Sequence, residues 1–454
     1  MSFIYSIIGF VIAIGVLVAV HEFGHFWVAR KLGVKVLTFS IGFGKPIWRR
    51  VSGPDQIEYV IARIPLGGYV KMLGEGSAAD PVDPKEAHRA FDNQPIWKRT
   101  LIVAAGPGIN FLFAILLFML LGMQAERRLE PVFGNVTEQS VLAEAGVKAG
   151  DRLVSVDGKS ARFLTEHDLY VFNQVLKRAP IELEINSSGT TSNVTIPTNN
   201  IPIYKVNPSS LMRQLGFVGV MPVITTDIER VAAGSPADTG GLKIGDKFVS
   251  IDQTPINNWN DLTSLVQPAA GKPLLITVDR GGANVSMTIT PKSVKVGDIT
   301  YGQLGVGPTV LPPRPEQIIE INRSPLEAMV HGVNQTWLMS TLTLRMLGKM
   351  ITLQVSHKNV NGPLMIADVA GQAIQVGFST YLYFLALISI SLGVMNLLPI
   401  PMLDGGHLAS YVVEVFAGKR FAQKAFIAVQ PFGMLMLAGL MSLAFYNDIL
   451  KIFN

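Results

Sequence analysis

Cysteine is missing from all 454 residues. Disulfide and thiolate chemistry are thereby excluded, and any metal site must draw on His, Asp or Glu. Charge is scarce as well: Asp, Glu, Lys and Arg make up 16% of the chain against 49% hydrophobic residues, far from the soluble average. The scarcity is concentrated in four windows, Phe3–Ala29, Thr100–Ala125, Phe378–Pro401 and Ala425–Tyr446, each near the roughly 20 apolar residues that cross a bilayer as a helix. No basic residue precedes Arg30 and no small-x-small site closes the first window, so it is expected to stay in the mature protein rather than leave as a signal peptide. The net charge of +5 adds no nucleic-acid signal, because Lys and Arg cluster beside the windows, where they report topology and lipid contact.

Those basic residues set an orientation. Arg30, Lys31, Lys35, Lys45, Arg49 and Arg50 follow the first window, and Lys98 and Arg99 precede the second, which makes the intervening loop cytoplasmic. Four spans then put both termini outside and Lys419, Arg420 and Lys424 inside. Arg127 and Arg128 dissent on the outer side, but a long translocated domain crosses largely regardless of such charges.

Between the second and third windows the composition is that of globular domains, and it repeats. Ser140–Ser160 (SVLAEAGVKAGDRLVSVDGKS) and Ser235–Pro255 (SPADTGGLKIGDKFVSIDQTP) align without a gap. In each, a Gly-(Val/Leu)-Lys-x-Gly-Asp turn leads into an alternating strand, 153–156 or 248–251, and then an Asp suited to a turn. Amphipathic segments follow at His167–Arg178 and Trp259–Val266. Pro312, Pro313 and Pro315 open a helical region expected to lie as amphipathic helices on the outer membrane surface. In the cytoplasmic loop, Ile57–Arg63 and Gly68–Met72 read as strands of a β-hairpin around Pro65-Leu-Gly-Gly68.

The chemistry stands in the first window. His21-Glu-Phe-Gly-His25 puts two imidazoles one helical turn apart on one face with a carboxylate beside them, the arrangement in which two His bind zinc and the Glu acts as general base toward water. Three ionisable groups inside one span oppose insertion by roughly 2.5–3.5 kcal/mol each, so they require a function. From Val369 to Leu403 no charged side chain occurs, and then Asp404 arrives on the inner side of the third window, the level of His21 and His25. Asp404 is the expected third ligand; His407, three residues on, is the alternative. A divalent-metal transporter and a membrane scaffold with a structural metal remain as rivals. The first would show repeats among its spans, and none is detectable; the second would tolerate loss of Glu22.

His-Glu-x-x-His in the first span, Gly106-Pro-Gly-Ile-Asn110 in the second and Asn396-x-x-Pro399-x-x-x-x-Asp404-Gly in the third together resemble the site-2 intramembrane metalloproteases. The two repeats resemble PDZ domains, with Leu215-Gly-Phe217 and Leu304-Gly-Val306 at the place of the carboxylate-binding loop in a circularly permuted form; Gln253 departs from the usual turn Gly. The resemblance implies a polytopic α-helical membrane protein of four transmembrane helices, with a membrane-associated, reentrant β-hairpin and two tandem periplasmic PDZ (α+β) domains, in a bacterial inner membrane. Its expected order is a span at 1–29, a cytoplasmic loop at 30–96, a span at 97–125, PDZ domains at 126–221 and 222–311, periplasmic helices at 312–376, a span at 377–403, a loop at 404–424 and a span at 425–447. It implies one zinc on His21, His25 and Asp404, Glu22 as base, Asn396 and Pro399 near the substrate, Gly68, Tyr69 and Val70 as a clamping edge, and Gly106, Pro107 and Asn110 in support. The implied substrates are single-span membrane proteins, an anti-sigma factor already shortened by another protease and remnant signal peptides. Peptides with free carboxyl ends are the implied PDZ ligands.

Overall fold

The computed structural model describes residues 2–75, 82–134, 136, 140–199, 201, 211, 215–217, 223–296, 299–311, 314–352, 354 and 362–453. Pro312, Pro313 and the end of the first expected PDZ domain lie outside them. Helix α1 (Ser2–Lys31) carries the first apolar run and stops where Gly33 turns left-handed (φ +84°), with Val34 N–H closing back on Ala29 O at 2.9 Å.

Strands β1 (Val36–Ser52) and β2 (Ile57–Met72) follow, antiparallel across a turn at Gly53–Gln56. Their pairing corrects the expected hairpin. Ile57–Arg63 and Gly68–Met72 do not pair with each other: Ile41, for example, faces both Ile61 and Gly68, so the start of β1 is inserted between them. The physical cause lies at Gly42, Gly44 and Gly67, all with positive φ, which bend each long strand into two paired pieces. One result matters for the site: Gly68–Met72 is left as the outer edge of the sheet, with partners on one side only among the described residues.

Helix α2 (Ile96–Gly122) starts behind Pro95 and carries Pro107 inside it. Beyond it β3 (Glu126–Leu129) leads to two β domains that share a helix-strand-strand-helix-strand-strand order. The first has α3 (Val141–Glu144), β4 (Arg152–Val156), β5 (Lys159–Ser160), α4 (Asp168–Lys177), β6 (Ile181–Ser187) and β7 (Thr190–Ile196), with sheet order β5-β4-β6-β7. The second has β8 (Val223–Val231), α5 (Pro236–Thr239), β9 (Lys247–Ile251), β10 (Thr254–Pro255), α6 (Trp259–Val266), β11 (Leu274–Arg280) and β12 (Ala283–Ile289). It is extended by β13 (Lys292–Val296), β14 (Ile299–Gln303) and β15 (Val306–Leu311), and its main sheet runs β12-β11-β9-β8-β15. Each closes its own hydrophobic core, around Leu153, Val171 and Leu183 or around Phe248, Leu262 and Ile276, and each such buried side chain contributes about 1.5–3 kcal/mol. The repeat extends to single hydrogen bonds: Asp151 accepts from Lys148 N–H and Asp246 from Lys243 N–H, both at 2.8 Å.

Strand β16 (Ile318–Ile321) pairs with β3 and returns the chain to the membrane helices. Helices α7 (Pro325–Ile351) and α8 (Pro363–Val376) do not lie only on a surface, as their patterning suggested. Gly332 of α7 meets the Ile115 carbonyl, and Gly371 of α8 meets the Ser6 backbone, so closely that a Cβ would stand 2.6 and 2.5 Å away. Small residues let these helices pack down the sides of α2 and α1. Helix α9 (Phe378–Leu397) packs on α2, and after a break come α10 (Asp404–Ala417) and α11 (Lys419–Phe453). Lys419, Arg420 and Lys424, expected in a loop, belong to the start of this last helix. Among the described residues α1, α2, α9 and α11 are long and apolar enough to cross a membrane.

Candidate metal centre and substrate cleft

The i,i+4 spacing on α1 brings His21 and His25 to one face, with their Nε2 atoms 3.3 Å apart. Asp404 reaches the same point because α9 ends at Leu397. Pro399 and Pro401 cannot continue a helix, Met402 takes a positive φ of 83°, and the chain folds back through Ile400 N–H to Leu398 O at 2.7 Å. Gly405 is pressed against the Leu398 carbonyl, where a Cβ would overlap it. Asp404 thus opens α10, where the helix dipole favours a carboxylate. Its Oδ2 stands 3.3 Å from His21 Nε2 and 3.5 Å from His25 Nε2, is buried and has no hydrogen-bond partner.

These three donors fit zinc. Ligands about 2.0–2.2 Å from a tetrahedral zinc stand about 3.3–3.6 Å from one another, which is the spacing found, and two imidazoles with one carboxylate leave a fourth position open. The surroundings orient the rings. His25 Nδ1 donates to Ile102 O at 2.9 Å, which leaves its Nε2 lone pair facing the cluster. Asn110 Nδ2 lies 3.0 Å from His21 Nδ1, and a flip of the amide exchanges Nδ2 and Oδ1 at this place. With His21 Nε2 turned to the cluster, Nδ1 carries the hydrogen and donates to the amide oxygen, an orientation that also gives the otherwise unpartnered Asn110 Oδ1 a bond. Asn110 is tied in turn to α9, where Ser389 Oγ donates to its backbone carbonyl at 2.8 Å. Gly106 makes the room: a Cβ there would overlap His25 Nε2 and come within 2.8 Å of His21 Cε1. At the next residue, the Pro107 carbonyl lies beside Gly393 of α9 at the α2–α9 crossing.

A cleft of about 840 Å³ opens on the cluster, lined by Glu22, by Gly68, Tyr69 and Val70 of the sheet edge, and by Asn396. Asn396 Nδ2 is 3.4 Å from His21 Nε2, although the helix does not run on from Asn396 to Asp404. Gly68 packs so close to α1 that a Cβ would sit 2.7 Å from Val18 Cγ1 and 3.0 Å from Glu22 Cγ, so the edge strand crosses directly over the Glu22 level. Pro399 is exposed in the break and does not line the cleft. His407 lines it away from the cluster, against Phe426. Sequence reasoning missed Arg99 and Glu414, which form a bidentate ion pair at 3.0 and 2.7 Å in the cleft wall and tie α2 to α10. A signal existed: Glu414 is the only acidic residue between Asp404 and Asp448.

The profile of peptidase family M50 matches residues 9–440. The chain is 37% identical to the regulator of sigma E protease of Salmonella typhi, to the regulator of sigma-E protease RseP of Escherichia coli strain K12 and to protease RseP of Yersinia pestis, over 99% of this chain and 99% of each relative. With a match that runs from the His-Glu-x-x-His helix through the last apolar one, the chain belongs to peptidase family M50, the site-2 proteases.

Proposed function

We propose that this zinc metalloprotease hydrolyses peptide bonds within the transmembrane segments of single-span membrane proteins. The observation that carries this reading is the convergence of His21, His25 and Asp404 at 3.3–3.5 Å among helices apolar enough to span a membrane. These three side chains would hold the zinc. Once bound, zinc supplies a Lewis acid that polarises a carbonyl and acidifies water.

The remaining roles fall to the chain's own groups. Glu22, beside the ligands in the cleft, takes the proton from the attacking water and returns it to the leaving amine. A substrate helix cannot be cut while its amides are bonded internally, so it must unwind, and the free edge at Gly68, Tyr69 and Val70 pairs with the extended backbone next to the ligands. Asn396 holds the substrate backbone near the scissile bond. Pro399 acts through the helix break it imposes. Gly106, Pro107 and Asn110 keep α2 close enough to orient the histidines.

The basic loop after α1 faces the cytoplasm of a bacterium, so both termini and the β domains are periplasmic and the metal centre lies toward the cytoplasmic side of the inner membrane. Residues 126–221 and 222–311 act as tandem PDZ domains that exclude substrates with bulky outer parts or hold free carboxyl ends; their shared element order supports the assignment. Relatives described as sigma-E regulators support a trimmed anti-sigma factor as substrate, with remnant signal peptides as a second class.

The test uses purified wild type and Glu22→Gln with a single-span reporter lacking its outer domain. The variant is expected to keep its zinc and lose roughly 100-fold or more in cleavage. Equal cleavage by both proteins refutes the role of Glu22 and the hydrolytic mechanism with it.

A further inference from the structure

A second and larger cavity, about 1380 Å³, lies between the first β domain and the ends of α2 and α9 remote from the metal centre. From Gly106 to Gly122 along α2 is about 24 Å, so the two sites stand at opposite membrane faces. The walls differ in character. Phe118, Leu121, Val330 and Tyr383, from the helices, make one side apolar; the first β domain, β3, the β16–α7 connection with Arg323, and Arg345 of α7 make the other strongly basic.

The basic side is not neutralised from within. Six Arg and Lys side chains line the cavity against three Glu. Arg162 takes Glu166 at 2.6 Å, Arg128 takes Glu126 at 3.2 Å, and Glu327 is turned back to accept from Ser324 N–H at the start of α7. Lys159, Lys177 and Arg345 have no carboxylate partner among the described residues; Lys159 lies over the Tyr170 ring and Arg345 donates to Asn173 Oδ1. Arg323 is the sharpest case. Its side chain is 3% exposed, its Nε and Nη1 are buried without a hydrogen bond, and its only carboxylate contact among the described residues is Glu126 at 3.5 Å, shared with Arg128. A buried guanidinium left in this state is strongly disfavoured unless an anion completes it.

We propose that this cavity binds one glycerophospholipid with an anionic headgroup, its phosphate on Arg323 and its acyl chains along Phe118, Leu121 and Tyr383. The depth supports a lipid over a soluble anion, since the apolar wall is built from span ends, where chains meet headgroups. Bound there, the lipid bridges the first β domain to α2 and α7.

The test uses the full chain, stripped of lipid in mild detergent and titrated with phosphatidylglycerol or phosphatidylcholine of the same chains, with bound copies counted by native mass spectrometry. One phosphatidylglycerol is expected to bind saturably and in preference to phosphatidylcholine. Arg323→Gln is expected to weaken it about fivefold, and exposed Lys159→Gln with Lys177→Gln to do so by a similar factor per residue, at unchanged zinc content. The lysine pair keeps the test decisive where Arg323→Gln fails to fold. Equal binding of the two lipids, or equal binding by wild type and variants, overturns the proposal. So does a peptide with a free carboxyl end that binds with the same residue dependence when the lipid does not.

Discussion

The membrane helices and the β domains of this chain use most of their glycines in different ways. In the β domains it relieves the backbone at turns, as at Gly158 (φ 72°), and open space surrounds the position. Among the membrane helices it lets two backbones or a backbone and a ring approach, as at Gly24 against Ala105 and Gly106 against the two histidines, with ordinary helical dihedrals. Association in lipid has no hydrophobic drive between helices, so it depends on close approach and on polar contacts that converge on a few atoms. A β domain in water closes its own core and tolerates change at its periphery.

The comparison is broken most severely at Gly106. Alanine adds one methyl group, which would stand 2.2 Å from His25 Nε2 with the ring held by the Nδ1 bond to Ile102 O. Gly106→Ala is expected to lose bound zinc and to cut the reporter about 100-fold more slowly or worse; a variant with full zinc content would show that α2 can withdraw. Next comes Asn110→Leu, which keeps volume but removes the acceptor for His21 Nδ1–H. Zinc affinity, measured by competition with a chelator, should fall about 10-fold or more, in the range found for lost outer hydrogen bonds to metal ligands. An unchanged affinity would mean that His21 is oriented by packing alone.

What the chain discloses of itself follows the same division. His21, Glu22, His25 and Asp404 were legible because charge inside an apolar run is conspicuous and the i,i+4 spacing has a geometric meaning. The β repeat was legible because local turns recur in register, and the structure carries the correspondence down to Asp151 and Asp246. The insertion of β1 between two parts of β2 was not, since Gly42 and Gly44 interrupt the alternation that would have marked the central strand. Nor was the descent of α7 and α8 beside α2 and α1. An amphipathic pattern names a face but not what covers it, and Gly332 and Gly371 acquire meaning only once Ile115 and Ser6 are opposite them. Arg99 was read as a topology signal because its partner Glu414 lies 315 residues away.

The mildest test lies in the β domains, at the hairpin turn where Gly158 of the first repeat is matched by Gln253 in the second. Asp157-Gly158 and Asp252-Gln253 occupy the same hairpin turn with both central residues at positive φ, 47° and 72° in the first and 46° and 66° in the second. A left-handed conformation opposes a side-chain-bearing residue by roughly 1–2 kcal/mol, whereas glycine gives back about 0.5–1 kcal/mol through the freedom of the unfolded chain. Gln253→Gly should therefore stabilise the second domain by about 0.5–1 kcal/mol, read as slower hydrogen exchange at the amides of β9 and β10 in the full chain, with zinc content and cleavage unchanged. Gly158→Gln should shift the first domain by a like amount in the opposite sense. If Gln253→Gly instead speeds exchange, the Gln253 side chain makes a stabilising contact that outweighs its backbone strain, and the two turns are not equivalent.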